Sequence, residues 1–448
     1  MRVFVLRAGL LGVLVACLLT TLRAQTPAPS PLPATSVEQS HSASAEPPIT
    51  EYRLPLDKLQ KAEGLYRIRK TLYLAQTVWG FAALLLLLQL RLGARFRDWA
   101  EAVSRRRCWQ IALFGPLVLL TVGVLNLPLA AYRHHLQTAY GFSVQGWASW
   151  GWDWAKGQFV NVVLLTLLAW GFYAILRRWP GRWWIGAWLG ALPVVVLLVF
   201  LYPLVVDPMF NQFDPLAARQ PALVEQLEKV MQRGGLAIPR SRMFEMRASA
   251  KVTTYNAYVT GLGASKRVVV WDNTARELPA AQTLFIFGHE QGHYVLHHIW
   301  QGVGAAALGL FVGLYLAHRA IGFLLGRCGA RWGIRGLTDW ASLPVFLLLA
   351  GGLQFVGEPI NAGFSRYMEH QADIYGLEVI HGLVPNSSQV AAQAFQRLGE
   401  KGLAMPTPDP LFVFWTYSHP PIADRVRFAL SYQPWRTGEP PRYVRSGE

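Results

Sequence analysis

The sequence predicts a mostly α-helical, polytopic membrane protein with about seven hydrophobic spans and a smaller α+β part. Three observations predict it. Of the 448 residues, 52% are hydrophobic and only 15% charged, against roughly 25% charged in an ordinary soluble chain. The formal net charge is nevertheless +16. Apolar runs of about 20 residues, the length that crosses a bilayer, recur along the chain. Few charges with a large basic excess fit a membrane protein whose basic residues sit in short cytosolic loops. A nucleic-acid-binding domain would explain the excess but not the hydrophobicity, so nucleic acid is excluded as a partner and membrane lipid is expected. The three cysteines, Cys17, Cys108 and Cys328, are too scattered for a disulfide framework. They also lack the C-x-x-C spacing of a thiolate zinc site. Any bound metal must therefore have nitrogen and oxygen ligands.

The first apolar stretch, 6–22, follows Arg2 and contains Arg7. Residues 1–24 read equally as a signal peptide or an uncleaved anchor. Leu14-Val15-Ala16-Cys17 has the outline of a lipobox, against which the apolar Leu18 and Leu19 argue. Residues 25–56 are expected to be a linker, rich in Pro, Ala and Ser over 25–50. The segment 57–205 then carries membrane helices, with spans expected at 72–92, 109–131, 160–176 and 184–204. Two more are expected at 303–325 and 341–360, within the segment 301–360. Pro116, Pro193, Gly351 and Gly352 fall inside these runs, which membrane helices tolerate. The tryptophans of WASWGWDW (147–154) read as an interfacial belt.

Loop charge orients the spans. Residues 91–107, 177–182 and 327–335 together hold twelve arginines and two acids, a net +10 of the +16. Alternating spans place all three loops on one side, which the positive-inside rule makes the cytosol. The large segments 206–300 and 361–448 then face the other side.

The segment 206–300 carries the chemistry. Residues 222–232 have helical periodicity that stops at Gly234 and Gly235. The β-rich runs 253–260 and 267–271 flank a Gly-containing turn and read as a hairpin. A helix is expected over 278–300, containing FGHEQGHYVLHH (287–298). Its H-e-x-x-H core puts His289 and His293 on one helix face, where both can ligate one zinc ion. Glu290, beside them, can take a proton from the attacking water. His297 and His298 lie one turn further along and read as solvent-facing or supporting groups. A catalytic zinc needs a third protein ligand. Glu358, Glu369 and Glu378 are the downstream candidates. Spacing favours Glu369 modestly, because Asp373 at i+4 could orient a ligating histidine by accepting its second N–H.

HEQGHYVLHH resembles the H-E-x-G-H-[WY]-x-x-x-H segment of the type I CAAX prenyl proteases, which are membrane-integral zinc metalloendopeptidases. NAGFSRYMEHQAD (361–373) resembles that family's N-x-x-x-S-R-x-x-E-x-x-A-D pattern. DPMFNQFDPL (207–216), TTYNAYVTGLGASKRVVVWD (253–272), YSHPPIADR (417–425) and YGFSVQGWASWGWDWAKGQF (140–159) also match its segments, in its order. The resemblance spans about 57–430 and implies a zincin-like catalytic part with one Zn2+ per chain. It implies His289, His293 and Glu369 as zinc ligands, Glu290 as base and Asp373 as their support. It further implies Asn256 and Tyr258 on an edge strand that binds substrate backbone, and His419 and Arg425 facing the reacting carbonyl. Arg366 is expected to form a structural ion pair.

The family's eukaryotic members hold the catalytic part in the cytosol, whereas the arginine loops here predict the reverse. A bacterial homologue is implied, in the inner membrane with its site facing the periplasm. It would cleave unfolded, membrane-associated or CAAX-like polypeptides. The rival expectation is a non-proteolytic transporter or scaffold with a structural metal site. Arg319 within an apolar run and the Gly/Pro-broken helices would suit it.

Overall fold

The computed structural model describes residues 47–261 and 263–444. The expected signal or anchor at 1–24, and most of the linker, lie outside the described residues. Each of the six expected internal spans lies in a helix long and apolar enough to cross a membrane. These helices are α1 (Leu56–Gln89), α3 (Arg107–Ala139), α4 (Trp147–Arg178), α5 (Trp183–Leu201), α8 (His298–Trp332) and α9 (Leu343–Ile380). A short amphipathic helix, α2 (Leu92–Val103), joins α1 to α3. Most helices overrun the apolar stretch that predicted them, because helical hydrogen bonding continues where hydrophobicity stops. Phe114, Tyr173, Leu176, Trp183 and Val345 are buried at the centre of this bundle.

The three arginine loops meet at one end of the bundle. Arg335 pairs with Asp98 and Glu101, both at 2.7 Å. Arg91 Nε donates to the Arg331 carbonyl at 2.8 Å. Buried Arg97 pairs with buried Asp339. The Arg177 guanidinium lies 5.0 Å from the Trp340 ring centre. Three loops distant in sequence therefore share one face, as alternating spans require.

A second core forms at the other end. A four-stranded sheet has the order β1-β2-β4-β3, with β1 Phe213–Pro215, β2 Met243–Met246, β3 Ala257–Thr260 and β4 Arg267–Trp271. Strand β2 runs parallel to β4, whereas β3 is antiparallel to it, with Tyr258 opposite Val269. The expected hairpin thus forms, and β3 is left at the edge. The sheet shares a core with α6 (Pro221–Arg233), α7 (Ala280–Val295), α10 (Ser387–Gly402) and α12 (Ile422–Ser431), while α11 (Pro410–Thr416) packs on α9. Residues 47–55 of the expected linker lie along α10. Ile49 N–H donates to Gln389 Oε1 at 2.9 Å, and Tyr52, 5% exposed, donates its hydroxyl to the Ala404 carbonyl at 2.8 Å. The linker is therefore shorter than expected at its end, because Tyr52 belongs to the catalytic core.

The helix expected over 278–300 is broken. Helix α7 ends at Val295, His297 takes a left-handed conformation (φ 57°), and α8 starts at His298. Helix α9 joins the two cores. Its first residues, Leu343 and Val345, lie in the membrane core, and its last turns, from Tyr375 to Ile380, lie in the catalytic core.

Glycine lets α7 and α9 approach closely. A Cβ on Gly288 would sit 2.6 Å from a methyl of Val379, and one on Gly292 would sit 3.0 Å from Tyr375 Cβ. A Cβ on Gly376 would lie 3.0 Å from the backbone nitrogen of His289. Gly376→Ala should therefore overpack the contact, at a cost of roughly 1–3 kcal/mol. The check is the thermal midpoint in detergent, which should fall; an unchanged midpoint would mean the contact has slack.

Candidate active site

His289 and His293 project from one face of α7, four residues apart, and Glu369 meets them from α9. His289 Nε2 lies 3.1 Å from His293 Nε2 and 3.2 Å from Glu369 Oε2. His293 Nε2 lies 3.4 Å from Glu369 Oε1. Asp373, one turn further along α9, receives His289 Nδ1–H at 2.8 Å. That leaves His289 Nε2 as a bare lone pair. His293 turns its Nδ1 away, to His298 at 2.9 Å. Carboxylate oxygens only accept. Acceptor atoms of three residues thus converge where a cation would bring them together.

The spacing suits zinc. Nitrogen and oxygen ligands at about 2.0–2.1 Å from a tetrahedral ion stand about 3.3 Å apart. The charge suits a dication as well. Glu290, Glu369 and Asp373 are each at most 5% exposed, and the buried Arg425 guanidinium faces two of them, Glu369 and Asp373. Buried carboxylates in excess of buried cations are costly unless a further positive charge joins them.

The other two candidate carboxylates are elsewhere. Glu358 accepts from the Tyr73 hydroxyl at 2.8 Å, within the membrane helices. Glu378 is 2% exposed and receives the C-terminal segment. Spacing within one helix could not separate these three, because the contact of α9 with α7 selects among them.

Around this centre, His419 Nε2 lies 3.2 Å from Glu369 Oε1, and its Nδ1 lies 2.8 Å from Ser418 Oγ. Arg425 does not reach into open space. It is 6% exposed, with Nε on Asp373 Oδ2 at 2.9 Å and a terminal nitrogen on Oδ1. Burial works against its charge, but the Asp373 carboxylate outweighs burial and pushes the pKa of Arg425 up. Among the described residues Arg366 does not form the expected ion pair. It donates to the Val413 and Tyr417 carbonyls at 3.0 and 2.7 Å. The Val413 carbonyl also accepts the Tyr417 N–H at 3.1 Å at the end of α11, so Arg366 clamps that end and fixes the chain that leads to His419. Beside His419 and Arg425 opens a cavity of about 410 Å³, walled by Leu398, Met405, Tyr417 and Ile422.

Asn256 and Tyr258 lie at and on the edge strand β3. The Asn256 backbone is held by the Thr274 hydroxyl, N–H to Oγ1 at 2.8 Å and Oγ1 to the carbonyl at 2.8 Å. The Tyr258 hydroxyl donates to Asp207 Oδ2 at 3.0 Å, and the same oxygen pairs with Arg267 at 2.7 Å. The Tyr258 side chain thus ties the strand to the end of the membrane bundle.

Two family profiles divide the chain. That of peptidase family M48 matches residues 217–433, and that of the CAAX prenyl protease N-terminal part, five membrane helices, matches 38–212. A Bacillus subtilis protein named uncharacterized metalloprotease YhfN is 31% identical over 373 residues, 83% of this chain and 85% of its own. The chain belongs to the CAAX prenyl protease family of M48 peptidases. CAAX prenyl protease 1 of Saccharomyces cerevisiae is 25% identical over 424 residues, covering 88% of this chain and 90% of its own. The crystal structure of S. mikatae Ste24p shares the fold, with a TM-score of 0.71 and 22% identity over 84% of this chain and 89% of that one. The chain is an integral membrane metalloendopeptidase acting on polypeptides, and the rival expectation of a transporter or scaffold falls.

Asp373 sets the tautomer of a metal-facing histidine while balancing Arg425. Asp373→Asn should lower metal affinity or activity by roughly 10–100-fold. Chelator competition on the purified protein checks it, and wild-type retention would show that His289 keeps its tautomer without the carboxylate.

Proposed function

We propose that this protein is a zinc-dependent endopeptidase of the bacterial inner membrane. It would hold one Zn2+ per chain on His289, His293 and Glu369. Its substrates would be unfolded, membrane-associated or CAAX-like polypeptides, cleaved on the periplasmic side. The observation that carries this is the convergence of acceptor atoms of three residues at 3.1–3.4 Å. The yeast relative is a CAAX prenyl protease, which supports the CAAX-like part of that reading.

Zinc, when bound, supplies a Lewis acid that polarises the scissile carbonyl and makes water acidic near neutral pH. Glu290 takes the proton of the attacking water and passes it to the departing amine nitrogen. The carbon–nitrogen bond breaks as the carbon–oxygen bond of the new acid is completed. His419 donates to the carbonyl oxygen as charge develops there. Arg425 acts one step removed: it holds Asp373, which holds His289. The edge strand β3, which Asn256 precedes and on which Tyr258 lies, accepts an extended substrate as an added strand. Such docking selects unfolded segments, because only an extended chain can pair with a sheet edge.

Orientation follows from the shared face of the arginine loops. Helix α9 starts at that face and ends in the catalytic core. With the arginines cytosolic, the catalytic residues are periplasmic.

Two measurements test this. In Glu290→Gln, zinc content should stay near one per chain while cleavage of an unstructured peptide nearly ceases. His419→Ala should lose about 10²–10³ in turnover. Normal turnover in Glu290→Gln would refute the mechanism. For orientation, reporters fused after residue 100 and at the C-terminus should report cytosol and periplasm respectively. A cytosolic signal from the C-terminal fusion would sink the periplasmic assignment.

A further inference from the structure

Glu378 is a buried carboxylate that the mechanism does not use. It is 2% exposed and accepts four hydrogen bonds. Three come from consecutive backbone N–H groups, Arg442 at 2.5 Å, Tyr443 at 2.7 Å and Val444 at 3.0 Å. The fourth comes from the Tyr432 hydroxyl at 2.5 Å. Charge-assisted bonds of this kind are the stronger class, so the C-terminal segment is fastened to α9. Gln371 lies seven residues before Glu378, two turns back on the same face of α9. Its side-chain nitrogen donates to the Tyr443 hydroxyl at 3.1 Å and to the Tyr367 hydroxyl at 3.2 Å.

The other end of that amide reaches the metal centre. Gln371 Oε1 lies 3.1 Å from His298 Nε2. The break at His297 folds His298, 3% exposed, back onto His293, with their Nδ1 atoms 2.9 Å apart. Two ring nitrogens at that distance need one proton between them. A neutral His293 that ligates through Nε2 carries its proton on Nδ1. His298 Nδ1 must then accept, which puts the His298 proton on Nε2, facing the Gln371 oxygen. The amide nitrogen is then left to donate to the tyrosines, as observed. Each donor in the row meets an acceptor.

We propose that the C-terminal segment 442–444 is a working part of the metal centre. Through Tyr443, Gln371 and His298 it fixes the tautomer and ring orientation of His293. Asp373 serves His289 directly, whereas His293 depends on a row of neutral groups whose outer end belongs to the C-terminal segment. These are positioning residues, and the proposal rests on the zinc assignment above.

The test uses the full-length protein in detergent, with zinc alone as the probe and a chelating dye as competitor. Gln371→Leu should weaken zinc retention by about 10–100-fold. Tyr443→Phe should weaken it by a smaller, measurable factor. The double variant should be no weaker than Gln371→Leu alone, because the tail acts only through the amide. The thermal midpoint of zinc-stripped Tyr443→Phe should match that of the stripped wild type, which a merely structural role would not predict. Wild-type retention in both single variants, or losses that multiply in the double, would overturn the relay while leaving the zinc assignment standing. A wild-type protein that binds no zinc would overturn both.

Discussion

The contact between α7 and the C-terminal half of α9 is the constraint on which the rest of the structure depends. Helix α7 offers Gly288 and Gly292, one turn apart, and α9 offers Gly376. Without side chains at these points, the backbones approach until Cβ atoms would collide with backbone or ring atoms. Only at this separation do the short carboxylates of Glu369 and Asp373 reach imidazoles on the facing helix. Leucine-sized spacers would separate the helix axes toward the ordinary 8–10 Å or beyond, leaving the histidines without partners. Gly292 thus has a packing reason to stand inside the zinc-binding motif, between Glu290 and His293.

Electrostatics then decides what that contact can hold. Glu290, Glu369 and Asp373 are brought out of water together, and Arg425 faces two of them. Such an arrangement is unfavourable for an empty site and favourable for a dication, so metal binding and the folding of this core are linked. The two histidines are supported differently. His289 leans on a carboxylate that is itself neutralised by Arg425. His293 leans on uncharged groups. The asymmetry avoids adding another buried anion beside Glu290 and Glu369.

What was legible in the sequence follows from the range of each interaction. Hydrophobic length and loop charge are local properties, and they gave the six internal spans and the shared face of the arginine loops. The His289–His293 pair is a four-residue relation within one helix. Glu369 was only favoured over Glu358 and Glu378, because what selects it is a contact across about 80 residues of chain. Arg366 was expected in an ion pair because charge is visible in sequence, whereas the backbone carbonyls of Val413 and Tyr417 that it reaches across about 50 residues of chain are not. His298 was read as solvent-facing or supporting, and it is buried against His293, but by a route the sequence did not show, since the helix was expected to run unbroken to residue 300. On an unbroken helix, five residues from His293 would point it away. The left-handed turn at His297 reverses that direction, and no glycine marks it.

The length of α9 places the chemistry relative to the bilayer. From Leu343, beside the arginine cluster, to Glu369 is 26 residues, about 39 Å along a helix axis. The hydrocarbon core is about 30 Å thick. A helix that starts at one interface therefore delivers Glu369 at or just beyond the opposite one, even when moderately tilted. His298, at the first residue of α8, stands beside His293 at the start of a second candidate span. His289 and His293 come from α7, which is not among the six candidate spans, and Glu369 comes from α9, which is, so one long helix carries the site's carboxylate from the bundle into the second core.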